Sequence, residues 1–353
     1  GINFSTTYSH DTHDEERQRD NTPDLANSLN SRTQTWGNSL STSATLTLDA
    51  FSLSPSVALT HQYEHIDYQR GALDTTTQRN LLMINPSVGM RYKLGKQMNL
   101  QGSIGYTTTP AQLLDCIDYV DDTNPLYIRS GNSELKNSHS LYASIKYNML
   151  LTQASQALSV SADYQKQQSP IAMVLHYNSQ TGVYHATQQN VQGGNTWNIG
   201  IDYERSIGNH VTWRNKLSET WGRSYGILTM VDEATEVTYN RQNHSALSYT
   251  TEAECSLAAW TLNLSNRFGW TNYTYSDKSQ QQQDIFRNET ELNIRYHHPK
   301  WTFRLHPKLA IDRGHIAQTM NTSQFLLNAS ATYKFLHNKA ELTLEGKDLL
   351  NQV

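Results

Sequence analysis

The sequence predicts an all-β chain, an antiparallel up-and-down transmembrane β-barrel, and three observations carry that prediction. Apolar and polar residues alternate strictly along many segments, the pattern of a strand with one apolar face. Connections alternate between short turns and long polar loops. Aromatic residues gather where the strands end.

The elements follow in order. Strand-like segments open with INFSTTYSH and continue through LSTSATLTLDAF, SVALTHQYEHIDY, LLMINPSVGMRYKL, MNLQGSIGYTT and LYASIKYNM. They go on through ALSVSADYQ, WNIGIDYERS, VTWRNKLSETWG, ALSYTTEAECSL, WTLNLSNRFGW, NETELNIRYHH, WTFRLHPKLAI, LLNASATYKF and AELTLEGKDLL. They number about fifteen and run roughly 10–16 residues, against about 5–6 for an ordinary strand. Short turns are expected near Phe51–Ser54, Gly95–Gln97, Leu151–Ser155, Gly208–Asn209, Leu257–Ala258, Pro299 and His337–Asn338. Long loops are expected at 11–35, 69–79, 110–137, 168–194, 224–242, 274–284 and 315–324. A meander whose short turns share one end produces this order, whereas a Greek-key sandwich has no reason to sort its loops by parity.

The faces agree. WNIGIDY sets Trp197, Ile199, Ile201 and Tyr203 against Asn198, Gly200 and Asp202. WTLNLSNRF sets Trp260, Leu262, Leu264 and Phe268 against Thr261, Asn263, Ser265 and Arg267. Aromatics such as Tyr92, Tyr147, Tyr203, Trp213, Trp260, Tyr296, Trp301 and Tyr333 stand beside the short turns. Apolar-out, polar-in strands with short turns at one end and aromatic girdles describe a membrane barrel. Only helices and closed barrels satisfy their backbone groups in lipid. A soluble sandwich would also alternate, but it explains neither the strand length nor the loop parity.

Composition narrows the function classes. Hydrophobic residues make up 37% and aromatics 10%, with net charge −4. Disordered chains pair few aromatics with high net charge, so disorder does not fit. Near-neutral charge gives no support to nucleic-acid binding. Cys116 and Cys255 have no metal or redox spacing. No run is long and apolar enough for a transmembrane helix. No nucleophile motif, phosphate loop or zinc-hydrolase spacing is present, so the chain is expected to be no enzyme and to need no cofactor. Asp115, Asp118, Asp121 and Asp122 crowd one long loop and are candidate ligand groups, since Ca²⁺ takes several oxygen ligands. A solvated acidic loop is the plainer reading. His10, Asp11, His13, Asp14 and Glu15 offer metal-ligating chemistry at a strand end, with nothing to fix a geometry.

The run NPLYIRSGNSELKNSHSLYASIKY carries Asn124, Pro125, Gly131, Asn132, Leu135 and Lys136 just before a strand. The tail ELTLEGKDLLNQV carries Asp348, Leu349, Leu350, Asn351 and Gln352. Together these resemble signatures of TonB-dependent outer-membrane receptors, the tail looking like that family's penultimate strand. The resemblance implies a barrel of about 22 strands with an N-terminal plug and a box that contacts TonB. Neither is visible, so residues 1–353 are expected to be the C-terminal portion of such a barrel. It further implies a place in the outer membrane of a Gram-negative bacterium and import of a scarce nutrient bound at external loops. The expected partners are outer-membrane lipid, TonB through the missing N-terminal region, a surface lipoprotein, and a small-molecule, glycan or peptide ligand. A passive porin or adhesin-type barrel is the alternative. Lys146, Asp202, Arg267, Glu291 and Arg295 would face the lumen.

Overall fold

The fold is taken from a computed structural model, which describes residues 1–16, 18–19, 22–23, 28–71, 73–232, 236–337 and 339–351. Fifteen wall strands follow one another in chain order and each pairs antiparallel with the next. They are β1 (Ile2–Glu15), β2 (Leu29–Ser43), β3 (Phe51–Arg70), β4 (Leu73–Lys93), β5 (Met98–Thr109), β6 (Ser138–Leu151), β7 (Gln156–Gln168) and β8 (Asn195–Ile207). The series continues with β9 (Val211–Ile227), β10 (Tyr239–Leu257), β11 (Trp260–Tyr275), β12 (Gln283–His297), β13 (Trp301–Arg313), β14 (Ser323–Phe335) and β15 (Ala340–Gly346). A short strand, Leu46–Leu48, lies beside β3 and completes a 16-stranded sheet. Among the described residues the outer edges of β1 and β15 carry no further strand.

The turns after β2, β4, β6, β8, β10, β12 and β14 lie at one end, here called inner. Left-handed residues close several of them: Asp49, Ser155, Gly208, Ala258 and Leu336 all have positive φ. Asn338, part of one expected turn, lies outside the described residues, as does Gln352.

The structure moves several expected boundaries. Phe51–Ser54 is strand, and the turn before it is at Asp49–Ala50. The expected loop at 69–79 is a hairpin. Pairing runs without slip through Asp67↔Thr76 and Gln69↔Asp74 to Arg70↔Leu73. Thr76 Oγ1 donates to Asp67 Oδ1 at 2.9 Å across it. A polar, threonine-rich run suits a strand that projects beyond the membrane, where both faces are wet; its polarity therefore resembles that of a loop. One outer connection is thus as tight as the inner ones. The loop expected at 11–35 is trimmed at both ends, since β1 extends to Glu15 and β2 begins at Leu29.

Register confirms the faces. Trp197 pairs with Tyr164 and Trp221, Ile201 with Val160 and Leu217, and Tyr203 with Leu158. Directly opposed residues share a face. Two aromatic rows result. The inner row includes Tyr203 and Trp213 (6.1 Å between ring centres), Trp260 and Tyr296 (4.7 Å), and Trp301 and Tyr333 (4.3 Å). The outer row includes Tyr164 and Trp197 at 4.4 Å, with Trp221, Trp270 and Phe286 at corresponding ends of their strands. The opposite face is polar. There Lys308 bridges Glu289 (3.0 Å) and Glu291 (2.9 Å), Arg267 meets Glu289 (3.2 Å), and Arg214 meets Glu204 (3.0 Å).

The wall contributes little to the buried apolar core. Ile66, Tyr68, Leu113, Ile117 and Tyr119 form one buried cluster; Val174, Val191 and Met230 form another. Apart from the projecting tip of β3, these residues belong to outer connections.

Candidate functional site

The outer connections fold into a cap. The loops expected at 110–137, 168–194 and 224–242 contribute strands Val120–Asn124, Tyr127–Ser130, Ile171–Asn178, Val183–Asn190 and Met230–Val231. These form a second, five-stranded sheet in the order Met230–Val231, Ile171–Asn178, Val183–Asn190, Tyr127–Ser130, Val120–Asn124. Two of its pairings are parallel, which joins segments distant in the chain. One face packs Val174 and Met230 against Val191, Ile227, Val237 and Tyr239. The other carries Tyr127, Tyr184 and Tyr177 in directly paired positions. The Tyr177 and Tyr184 rings lie 4.7 Å apart, and Tyr184 and Met173 are exposed.

Two arginines of the projecting hairpin fasten the cap to the wall. Arg70 Nη2 pairs with Asp121 Oδ1 at 2.7 Å and donates to Thr123 Oγ1 at 3.3 Å. Arg79 bonds Glu64 and the carbonyl of Ala111, and its Nη1 reaches Cys116 Sγ at 3.4 Å. Glu64 and Ala111 are buried. Neither arginine is legible in the sequence, because nothing in TTTQRNLL separates Arg79 from an ordinary surface charge.

The motif residues build this junction. Asn124 Oδ1 accepts from the Leu126 amide at 3.0 Å and caps the tight turn at Pro125–Leu126; proline suits the second position of such a turn. Gly131 donates its N–H to Tyr119 O, and a Cβ there would stand 1.7 Å from Ile117 O. Only glycine allows that approach. Asn132 donates from its backbone to Asp115 O (2.7 Å) and from Nδ2 to Gln188 O (2.9 Å). Leu135 donates its N–H to Asn132 O. Lys136 N–H donates to Asn190 Oδ1 at 2.7 Å, and Asn190 Nδ2 returns a bond to Lys136 O at 2.8 Å. The run therefore stitches the 110–137 connection to strand Val183–Asn190.

The tail differs from its expectation. The strand is Ala340–Gly346, and Asp348, Leu349 and Leu350 form a turn beyond it. Asp348 N–H donates to Asn328 Oδ1 (2.9 Å), Leu349 N–H to Leu327 O (2.9 Å), and Asn351 N–H to Asp348 O (2.8 Å). Asp348 and Asn351 both have positive φ, which ends the strand.

The acidic candidates serve local structure. Asp115 sits in a short 3₁₀ turn, and burial pushes its carboxyl up, partly opposed by Arg129. Asp118 Oδ1 accepts from Ser133 N–H at 3.2 Å. Asp122 is exposed beside them. Burial raises Asp121, but hydrogen bonds from Thr123 and the charges of Arg70 and Arg129 outweigh it, leaving its carboxyl below the usual range. No cluster of three or more metal-ligating side chains exists among the described residues, the His10–Glu15 segment included.

Asp121 makes the junction pH-sensitive. Its native pKa is depressed, so its contribution is present above the ordinary carboxylate pKa of about 4 and is lost as pH falls through the native value. Protection of the 120–130 amides, taken relative to the intrinsic exchange rate at each pH, is expected to stay high at pH 5 and to fall below about pH 4. Asp121→Asn should remove that dependence and leave exchange in β6 unchanged.

The Outer membrane protein beta-barrel family matches residues 62–258. No curated protein matches the chain. Among solved structures, "Copper transporter OprC" shares 10% identity at a TM-score of 0.52, covering 99% of this chain and 58% of that one. The FrpB iron transporter from Neisseria meningitidis shares 9%, covering 99% of this chain and 73% of that one, with a TM-score of 0.40. The siderophore receptor PiuA from Acinetobacter baumannii shares 9%, covering 94% and 66%, with a TM-score of 0.34. The chain thus spans 58% of the length of OprC. With the alternating faces, the aromatic rows and a family match over more than half of its length, the chain belongs to the Outer membrane protein beta-barrel family and resides in the outer membrane.

Proposed function

We propose that this chain forms the C-terminal part of the wall, and the ligand-facing cap, of an energy-coupled receptor that imports a scarce nutrient across the outer membrane. The observation that carries this reading is the cap. Three outer connections are folded into one ordered sheet and fastened to the wall by Arg70, Arg79, Asn132 and Asn190. A pre-ordered outer surface loses less entropy on binding than free loops do. Its paired tyrosines offer stacking area, and Arg129 and Gln188 lie on the same face. The polar, charge-paired inner face suits a wet lumen or a plug, and the two motifs resemble those of TonB-dependent receptors. The fold shared with OprC supports a barrel of that architecture.

The test uses the full-length protein in two assays. In planar bilayers it is expected to show no open-pore current, because a plug would block the lumen. In cells, growth on the limiting nutrient that the deletion strain cannot use is expected to be lost equally when TonB is removed. A steady open-pore conductance, or uptake unchanged without TonB, would favour a passive porin and overturn the reading.

A further inference from the structure

The lipid-facing side of the wall is not uniform. From β4 to β8 its middle is apolar, with Ile84 and Val88, Ile104, Ile145, Val160, then Ile199 and Ile201, while on β1 to β3 a shorter polar row of Thr6, Asn38 and His61 lies beside Phe4, Leu40 and Leu59. On β13 and β14 it is apolar again, with Leu305, Pro307 and Leu309 beside Phe325, Leu327 and Ala329. Between these stretches, on β9 to β12, polar side chains occupy the same face. Asn215, Thr251, Asn266 and Thr290 are directly opposed, strand to strand, in one row. Asn288 lies one same-face step above Thr290. Glu219 opposes Ile199 and Leu247, one same-face step below Trp221. All lie between the aromatic rows, which mark the two interfaces.

Polar side chains facing hydrocarbon are costly unless partnered. This group is only half satisfied. Asn266 Nδ2 donates to Thr290 Oγ1 (2.7 Å) and Asn288 Oδ1 (3.3 Å), Tyr249 O–H donates to Asn215 Oδ1 (2.8 Å), and Trp213 Nε1 donates to Thr251 Oγ1 (3.0 Å). Asn215 Nδ2 is enclosed within the wall without a partner. Among the described residues the Asn288 amide finds no acceptor and the Glu219 carboxylate no donor. Acyl chains supply neither. A protein surface is therefore needed over β9–β12.

We propose that this surface is a second copy of the same chain. Both copies must insert with their caps outward, so the two-fold axis stands normal to the membrane. With that axis between β10 and β11, β9 of one protomer faces β12 of its partner. Glu219 and Asn288 then meet: each lies one same-face step inside the outer aromatic row, below Trp221 and Phe286 respectively. Glu219 is acceptor-only when ionised, and the Asn288 amide is the donor left without an acceptor. Beside the axis, Asn266 of each copy faces Thr251 of the other and stands diagonally across the axis from its own copy, so an amide that donates and accepts meets a hydroxyl that does the same. The same patch thus satisfies itself across the two-fold, which a surface of unrelated sequence has no reason to do.

Cross-linking of the full-length protein in its own outer membrane tests this. In a Cys116→Ser/Cys255→Ser background, Asn266→Cys is expected to give an oxidised band at twice the protein mass. Ile145→Cys, equally membrane-facing on β6, is expected to give none. Heat-modifiable migration on gels confirms that each variant is folded. Independently of cysteine chemistry, the unaltered protein in nanodiscs is expected to show the mass of two copies. Glu219→Leu/Asn288→Leu, still heat-modifiable, is expected to show one. A single-copy mass for the unaltered protein would overturn the proposal. So would an Asn266→Cys adduct with a different protein, or equal cross-linking at Ile145→Cys. None of these readouts depends on ligand import, so the proposal and the functional reading can fail separately.

Discussion

Ile145→Arg is expected to block insertion of the barrel, while Ser144→Arg is tolerated. Ile145 stands on the lipid face of β6, opposed by Gly102 and Ala162, with no polar group beside it. An arginine near the middle of that face costs about 2–4 kcal/mol. Ser144 faces the lumen directly opposite Asp163, so a guanidinium there gains a partner. The yield of heat-modifiable protein in outer membranes reads the difference. Because a buried sandwich face would give the same order, a lipid-attached quencher provides the second readout. It should reach a fluorophore at 145 and not one at 144. Equal quenching at both sites would refute the assignment of faces. The wall also predicts an exception. Ile199 is directly opposed by Glu219, so Ile199→Arg gains an ion pair and should impair insertion less than Ile145→Arg does.

The second large effect concerns the cap. Arg79→Leu leaves Glu64 buried with its main charge partner gone and removes the donor to the Ala111 carbonyl. Breaking a buried ion pair from one side costs about 3–5 kcal/mol, because the surviving charge stays desolvated. The expected outcome is rapid protease cleavage within 110–137 of protein that still migrates as a folded barrel. Glu64→Gln/Arg79→Leu should recover part of the protection, since the stranded charge is gone. If the double variant is no better than Arg79→Leu, the loss comes from the Ala111 bond and not from the exposed cost of Glu64.

The wall was legible in the sequence because its signal is repetitive. Each strand alternates with period two over a long span, and register then follows from which face must be apolar. Trp197, Ile201, Leu262 and Ile294 all lie where alternation placed them. The cap was not legible. Its strands are short, polar on exposed positions, and paired in parallel across segments tens of residues apart, so VYHATQQN and YIRS give no local sign of meeting. The hairpin tip at Gln69–Asp74 was lost for a related reason: a strand wet on both faces has no apolar side to alternate. Asn215 and Asn266 were passed over for the opposite reason. They sit inside convincing apolar sets, Trp213–Leu217 and Leu264–Phe268, and reading a face by its apolar members hides the polar ones. The motif run is recognisable from its residues, but its work, closing the joint between the 110–137 connection and Val183–Asn190, shows only in the folded chain.

The separation of buried apolar clusters from the barrel wall has a thermal consequence. The cap is held by apolar burial at Ile66, Tyr68, Val174 and Met230 and by a few charged bonds. The wall is held by a backbone ladder that runs strand to strand from β1 to β15 in a solvent without water. Apolar association weakens on cooling, and on heating the conformational entropy of the opened chain outgrows it, whereas a ladder in hydrocarbon has no competing water to release it. The two parts are therefore distinct cooperative units with different stability curves. Toward either thermal extreme the surface that meets the outside world should melt first, above a scaffold that remains intact and ready to template its return.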